Sequence, residues 1–256
     1  MARAVLLGWA AMAVVMAAAW YRQRGTRDAT AVDALWSLGI GALVVAYALI
    51  LPEPADPARR ALVAALTASW SLRLGGHLLR DRVGGVAGED GRYRHLRKVW
   101  GARAQPRFFV LYQVQAALAA LFSVPPMVAM HGGPLDAEAW AGAALAVVAI
   151  GGESLADRQL ARFRRDPTHR GRTCREGLWR YSRHPNYFFE WLHWWSYVLI
   201  GQGAALTWLG PVLMLVFLYR VTGIPHTEAQ ALASRGDDYR DYQRTTSAFV
   251  PWPPRV

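Results

Sequence analysis

The apolar residues of this chain are gathered into blocks separated by short polar stretches. Residues 4–20 carry no charge and are followed at once by Tyr21, Arg22 and Arg24. Further apolar blocks run over about 31–51, 59–79, 108–130, 139–157, 186–200 and 205–222. A helix needs roughly 20 residues to cross a ~30 Å hydrocarbon layer, a length that the second and fourth blocks meet. The third block carries Arg73 and the sixth carries Glu190 and His193, so hydropathy alone ranks both lower. Their polar groups must face other helices or a wet cavity. No period-two alternation points to strands, and no repeat or linker divides the chain. The pattern predicts an all-α polytopic membrane protein, with seven transmembrane helices forming a single domain over 1–256.

The first block has the look of a secretory signal, but such a signal puts its basic flank first. Here Arg3 is the lone leading charge and the stronger flank follows, so a retained first helix is expected. Charge then orients the bundle. With the N-terminus outside, the first, third and fifth loops and the C-terminal tail are cytoplasmic and carry 3, 8, 9 and 4 of the 29 Lys and Arg residues. The outside segments hold only Arg3, Arg59 and Arg60. This 24-to-3 split is the positive-inside pattern. A six-span alternative, with 186–222 as a re-entrant hairpin, would put the tail and its arginines outside. A bacterial-type inner membrane is the expected location.

Composition agrees. Apolar residues make up 54% of the chain and charged residues 18%, too apolar for an ordinary soluble surface. The formal charge of +11 would suggest nucleic acid in a soluble protein. Loops facing an anionic leaflet account for it here, and no nucleic-acid partner is expected. Cys174 is the only cysteine, which excludes an intrachain disulfide and a multi-cysteine metal site. Residues 223–256 read as a cytoplasmic tail packed on the polar side. Thr227–Arg235 suits a short helix ended by Gly236, residues 238–244 a polar aromatic turn, and 247–256 an extended segment rich in proline and anchored by Phe249 and Trp252.

The densest candidate chemistry lies in Gly177-Leu-Trp-Arg-Tyr-Ser-Arg-His-Pro-Asn-Tyr-Phe-Phe-Glu190. Arg180, Arg183 and His184 form a cationic group just before an apolar helix that Pro185 is well placed to start. The free amides of that helix end favour a phosphate or carboxylate. Asn186 and Glu190 share one face, and His193 continues it. The arginines either meet lipid headgroups or serve a ligand, and the ligand reading is favoured because an intramembrane carboxylate is expensive. Glu153 and Asp157 share a face of the fifth span, with Arg164 and Arg165 beyond, and suit ribose hydroxyls or an amide. Arg73, His77, Arg80 and Asp81 end the third span; the next loop holds Glu89, Asp90, Tyr93, Arg94 and Arg97. Asp33 and Trp36 lie at the same membrane level. His226, Glu228, Tyr239, Tyr242 and Arg244 bring the tail to that side. A site built from five segments, cationic at its mouth and apolar within, suits an anionic cofactor meeting a hydrophobic substrate. No metal is expected, since His184 and His193 lack a companion at metal-site spacing. No GxGxxG or GK[ST] loop occurs.

Three sets of motifs carry a family resemblance. They are Gly177–Trp191; Thr222-Gly-Ile-Pro225 followed by Tyr239–Pro254; and, upstream, Asp33-Ala-Leu-Trp36 with Gly88-Glu-Asp-Gly-Arg-Tyr-Arg94. In them the chain resembles the steroid 5-alpha-reductase / DUF1295 family, itself similar to isoprenylcysteine carboxyl methyltransferases. The resemblance implies a seven-helix membrane reductase that takes NADPH from the cytoplasm and reduces the carbon–carbon double bond of an enone lipid, such as a 3-oxo-4-ene steroid entering from the membrane. It implies cofactor contacts from Asp157, Arg164, Asn186, Tyr187 and Glu190, from Arg183 and His184, and from Glu228 and Tyr239, with Arg180 and Arg244 alongside. The family polarises the substrate ketone with a Glu/Tyr pair. This sequence departs there: the tyrosine expected on the third helix aligns with His77, and the acid is Asp33 or Glu89. Tyr93 completes the candidate catalytic set. A monomer among membrane lipids is expected. Two other readings remain: S-adenosylmethionine-dependent methyl transfer, although the Gly-Pro-Tyr of that branch is Gly-Leu-Trp here, and a non-enzymatic lipid-binding or transport bundle.

Overall fold

The computed structural model describes residues 1–50, 56–80, 89–221 and 223–255. Asp81, Gly88 and Thr222, named above, lie outside the described residues. Among those described, regular structure is helical throughout, in two compact units, Met1–Leu135 and Asp136–Val256.

The first unit contains α1 (Ala2–Thr26), α2 (Val32–Ile50), α3 (Pro57–Leu78), α4 (Gly91–Trp100), α5 (Ala104–Phe122) and α6 (Val124–Ala129). α1 outruns the expected boundary at residue 20, because nothing in Tyr21–Thr26 breaks a helix; it stops at Arg27 in the left-handed region, φ 55°. The expected fourth span breaks at Ser123, beside Pro125 and Pro126, into α5 and α6; proline has no amide hydrogen to continue the helical ladder. The stretch after residue 89, expected as a loop, is mostly α4, started by Asp90, whose carboxylate accepts from the Arg92 amide. α2 and α3 approach closely because small residues face each other. A Cβ on Gly41 would lie 2.3 Å from Ser71 Oγ, and Ser71 donates to the Ser37 carbonyl at 2.7 Å. Close backbone approach of this kind is how helices associate where lipid gives no hydrophobic drive. Arg59 is buried and bonds the carbonyls of Gly133 and Pro134.

The second unit contains α7 (Ala137–Arg165), α8 (Pro185–Ile200), α9 (Leu209–Val216), α10 (Ile224–Arg235) and α11 (Asp237–Thr245). α7 is 29 residues long and carries Glu153, Asp157 and Arg164 on one continuous helix. It lies against α8, where a Cβ on Gly142 would meet the Ser196 carbonyl oxygen at 2.7 Å and one on Gly152 the Phe189 ring at 2.4 Å. The block at 205–222 is irregular, with a 3-10 turn before α9 and a π turn over Phe217–Val221 after it. The expected turn at 238–244 is instead the helix α11; Gly236, with φ 55°, separates it from α10. Residues 247–255 form no helix or strand. Of the two expected tail anchors, Phe249 is buried against Phe188 and Trp191, but Trp252 is 68% exposed.

Among the described residues, five stretches are long and apolar enough to cross a membrane: Ala2–Thr26, Val32–Ile50, Gly91–Ala129, Ala137–Arg165 and Ala205–Arg235. α3 and α8 are absent from that set. α3 carries Arg59, Arg60 and Arg73, and α8 has 16 residues, or about 24 Å of helix at 1.5 Å per residue.

Candidate functional site

Each unit gathers its own polar group. In the second unit the centre is Glu228 on α10. Its Oε1 accepts from Arg183 Nε at 2.7 Å, from His184 Nε2 at 3.3 Å and from the Tyr239 hydroxyl at 3.4 Å. Its Oε2 accepts from Gln243 Nε2 at 2.8 Å. Arg183 also donates to the carbonyls of Gln243 and Thr246, at 2.9 and 2.7 Å. Burial of His184 holds its imidazole below the usual pKa, and the Glu228 carboxylate opposes that shift. Burial, reinforced by Glu228, raises the Tyr239 phenol. Arg183, His184, Glu228 and Tyr239 are thus together, bonded to one another.

Next to them runs the α7–α8 face. Asn186 donates to Asp157 at 3.2 Å, and the Asn186 carboxamide oxygen takes the Tyr187 amide at 3.0 Å. The Tyr187 ring stacks on His184 with centroids 5.2 Å apart, and its hydroxyl lies 3.1 Å from Thr227 Oγ1. Deeper in α8, buried Glu190 accepts from the Trp194 indole at 3.1 Å, and His193 meets Tyr197 at 3.0 Å. Arg180 is exposed on the 3-10 turn Gly177–Arg180 and forms no ion pair among the described residues. Arg164 is exposed near the end of α7, and Arg244 pairs with Asp241 at 2.9 Å.

In the first unit the turn before α2 meets the start of α4. Asp33 accepts from the Tyr93 hydroxyl and from Arg92 Nη2, both at 2.6 Å. The Thr30 hydroxyl takes the Asp90 amide at 2.8 Å, and Glu89 takes the Ala29 amide at 3.0 Å. Tyr93 is 5% exposed, while Gly91, Arg94 and His95 beside it face solvent. Glu89, expected as a proton donor, enters as an acceptor: both of its oxygens receive Arg97, at 2.6 and 3.1 Å. One turn along α2 from Asp33, the indole Nε1 of Trp36 is shielded from solvent and has no hydrogen-bond acceptor among the described residues. Its ring is held edge-on by Trp70 and Phe122. His77 lies half-buried near the end of α3.

Sequence reasoning missed Gln243, Arg92 and Trp194 as partners. Trp194 is four residues beyond Glu190, so helical spacing was the available signal. Arg92 lay inside a quoted motif between two residues already chosen. Cys174 is buried, and burial pushes its thiol up, away from nucleophile chemistry.

The chain belongs to the family described as "Protein of unknown function (DUF1295)", whose model matches residues 19–246. The relation to steroid 5-alpha-reductases is consistent with that membership. No curated protein and no solved structure matches the chain.

Proposed function

We propose that this protein is a seven-span membrane reductase, N-terminus outside, that uses NADPH to reduce the carbon–carbon double bond of an enone lipid. The orientation rests on the 24-to-3 division of basic residues, which needs all seven crossings. α3 and α8 enter as spans because their polar groups face protein: Ser71 bonds α2, and Glu190 and His193 are buried within their unit.

The observation that carries the chemistry is the Asp33–Tyr93 pair with the unmatched Trp36 indole one helical turn away. A buried donor without an acceptor costs about 1–3 kcal/mol, a cost removed when a ligand oxygen takes the hydrogen bond. A ketone oxygen is such an acceptor, and an apolar ligand suits the tryptophan and phenylalanine rings around it. As negative charge develops on that oxygen, the Tyr93 hydroxyl turns from Asp33 toward it, and Arg92 keeps the Asp33 carboxylate in place. This Tyr–Asp pair takes the role assigned above to a third-helix side chain, so His77 and Glu89 leave the catalytic set.

On the other unit, the donor set fits a dinucleotide. Asn186, Asp157 and Glu190 offer an amide and two carboxylates for ribose and carboxamide groups, and exposed Arg180 and Arg164 offer charge for phosphates. When bound, the cofactor supplies a hydride. His184, held by Glu228, stacks on Tyr187 and so helps fix that ring, while Asp157 holds Asn186.

The test is the nucleotide bound by detergent-purified protein. NADPH should bind, and Asn186→Ala and Glu190→Gln should each weaken it about tenfold. S-adenosylmethionine binding without NADPH binding would sink the proposal, as would unchanged NADPH affinity in both variants.

A further inference from the structure

One stripe of α1 changes from apolar to polar along its length. Val15, Ala18 and Ala19 are followed at helical spacing by Arg22 and Thr26, and all five line one groove of about 310 Å3. The rest of its wall comes from Asp28 and Ala31 in the turn before α2, from Leu35 on α2 and from Tyr112 on α5. Alanine at three of the apolar positions leaves the space. Gln23 lines the groove too, but its carboxamide is already engaged: Nε2 donates to Gln105 at 2.8 Å, and Oε1 accepts from Arg97 at 3.2 Å.

Three other polar groups in the wall are not answered by protein. Arg22 is exposed, and its guanidinium makes no hydrogen bond or ion pair among the described residues. Asp28 is half-buried; its Oδ1 takes the Thr30 amide at 2.9 Å, and its carboxylate forms no ion pair among the described residues. Two opposite charges thus line one groove without pairing. Tyr112 is 1% exposed, yet its hydroxyl has no hydrogen bond among the described residues. A buried phenol is normally bonded, so Tyr112 points to a polar ligand atom independently of the two charges. A ligand with a cation and an anion a few bonds apart answers Asp28 and Arg22 together. α1 is long and apolar enough to cross a membrane, and Arg22 comes just past its uncharged run, 4–20. The polar end of the groove therefore lies at headgroup depth and its apolar wall at acyl depth.

We propose that this groove binds a zwitterionic phospholipid whose headgroup carries a primary ammonium beside its phosphate. The ammonium donates to the Asp28 carboxylate and to the Tyr112 hydroxyl oxygen, the phosphate takes Arg22, and an acyl chain follows the alanines. A quaternary ammonium has no N–H to donate. An anionic headgroup without an amine leaves Asp28 facing like charge. The residues therefore select the amine. The site lies within the first unit and does not depend on the reductase reading.

The test uses the full-length protein, delipidated in detergent and titrated separately with phosphatidylethanolamine, phosphatidylcholine and phosphatidylglycerol of the same acyl chains. Unfolding temperature and native mass spectrometry read the binding. Phosphatidylethanolamine should bind about tenfold more tightly than either of the others. Asp28→Asn, whose amide oxygen can still accept from Thr30, should remove that preference. Tyr112→Phe should weaken phosphatidylethanolamine about threefold and leave the other two lipids unchanged. It should also leave the lipid-free unfolding temperature unchanged, since no bond within the protein is lost. Arg22→Gln should weaken all three lipids, because each carries a phosphate. Arg103→Gln, an exposed arginine outside the groove, should change nothing. Equal binding of the three lipids, or a preference for phosphatidylglycerol, overturns the proposal. So does a preference that survives both Asp28→Asn and Tyr112→Phe. Stoichiometric displacement of phosphatidylethanolamine by a neutral ketone lipid gives the groove to an uncharged occupant and overturns it as well. If Asp28→Asn does not fold, Tyr112→Phe and the wild-type selectivity decide.

Discussion

Replacing Glu228 with alanine should be among the most destabilising single changes outside the apolar helices. The carboxylate takes four side-chain donors, from Arg183, His184, Tyr239 and Gln243. Without it, the Arg183 guanidinium keeps two carbonyl partners but is only 12% exposed, so its charge is stranded away from water. Breaking one side of a buried pair costs about 3–5 kcal/mol, and the surviving carbonyl bonds put this case at the lower end, about 3 kcal/mol. For a chain of this size, each kcal/mol lowers the unfolding temperature by roughly 2–4 °C, so a fall of about 6–12 °C is expected. The measurement is the apparent unfolding temperature, compared in one detergent at one scan rate because detergent and scan rate both move it. A cycle with Arg183→Ala separates the pair from its surroundings: the double variant should lose less than the sum of the singles. A fall of under about 2 °C for Glu228→Ala, or strictly additive losses, would refute the description of this cluster as one unit.

Three further outcomes follow from the geometry. Tyr93→Phe should cost about 1 kcal/mol of stability through the lost bond to Asp33 and, in the reductase reading, lower kcat by about 10–100-fold with NADPH affinity unchanged; steady-state and binding measurements on one preparation check both. On α7, Gly142→Ala should destabilise by about 1–3 kcal/mol because the new methyl meets the Ser196 backbone, whereas Gly151→Ala, with nothing within 4 Å, should stabilise by up to about 1 kcal/mol; thermal unfolding of both variants compares them. His184 is held neutral by burial, its pKa below the ordinary value of 6.5. The unfolded chain therefore binds the extra proton first, so stability is fully present above about pH 6.5 and falls as the pH drops below it. His184→Gln should flatten the unfolding-temperature profile between pH 7.5 and 5.5.

Much of the helical plan was legible because each apolar block is long and its basic flanks are dense. The boundaries that failed did so for local reasons. The 108–130 block lies within one candidate span, as hydropathy read it, but Pro125 and Pro126, being apolar themselves, gave no sign of the break between α5 and α6. The segment 238–244 looked like a turn because five of its seven residues are Asp, Arg or Gln. Its helix is held by Tyr239 and Tyr242, three residues apart, which bury one face against α10. Phe249 and Trp252 were both expected as apolar anchors of the tail; Phe249, whose carbonyl Ser182 also holds, is buried, and Trp252 is exposed.

The site shows a different limit. The motifs quoted from the sequence turn out to be two halves of two contacts. Residues 29–33 meet 89–93 through bonds that span about sixty positions, and residues 179–183 meet 242–252 in the same way. Spacing along one helix reveals partners such as Glu190 and Trp194, four apart, but says nothing about which distant segment completes a pair. That is why Tyr93 could be picked as a candidate without a partner, while the acid matched to the His77 position stayed open between Asp33 and Glu89. The two acids are separated by what reaches them: Arg97 occupies both oxygens of Glu89, whereas Arg92 takes one oxygen of Asp33 and Tyr93 the other. A carboxylate bound to a tyrosine can hold and release that hydroxyl, and one forked by arginine cannot. The difference in partners, rather than in residue type, is why the proposed reductase mechanism takes Asp33 as the acid of the pair.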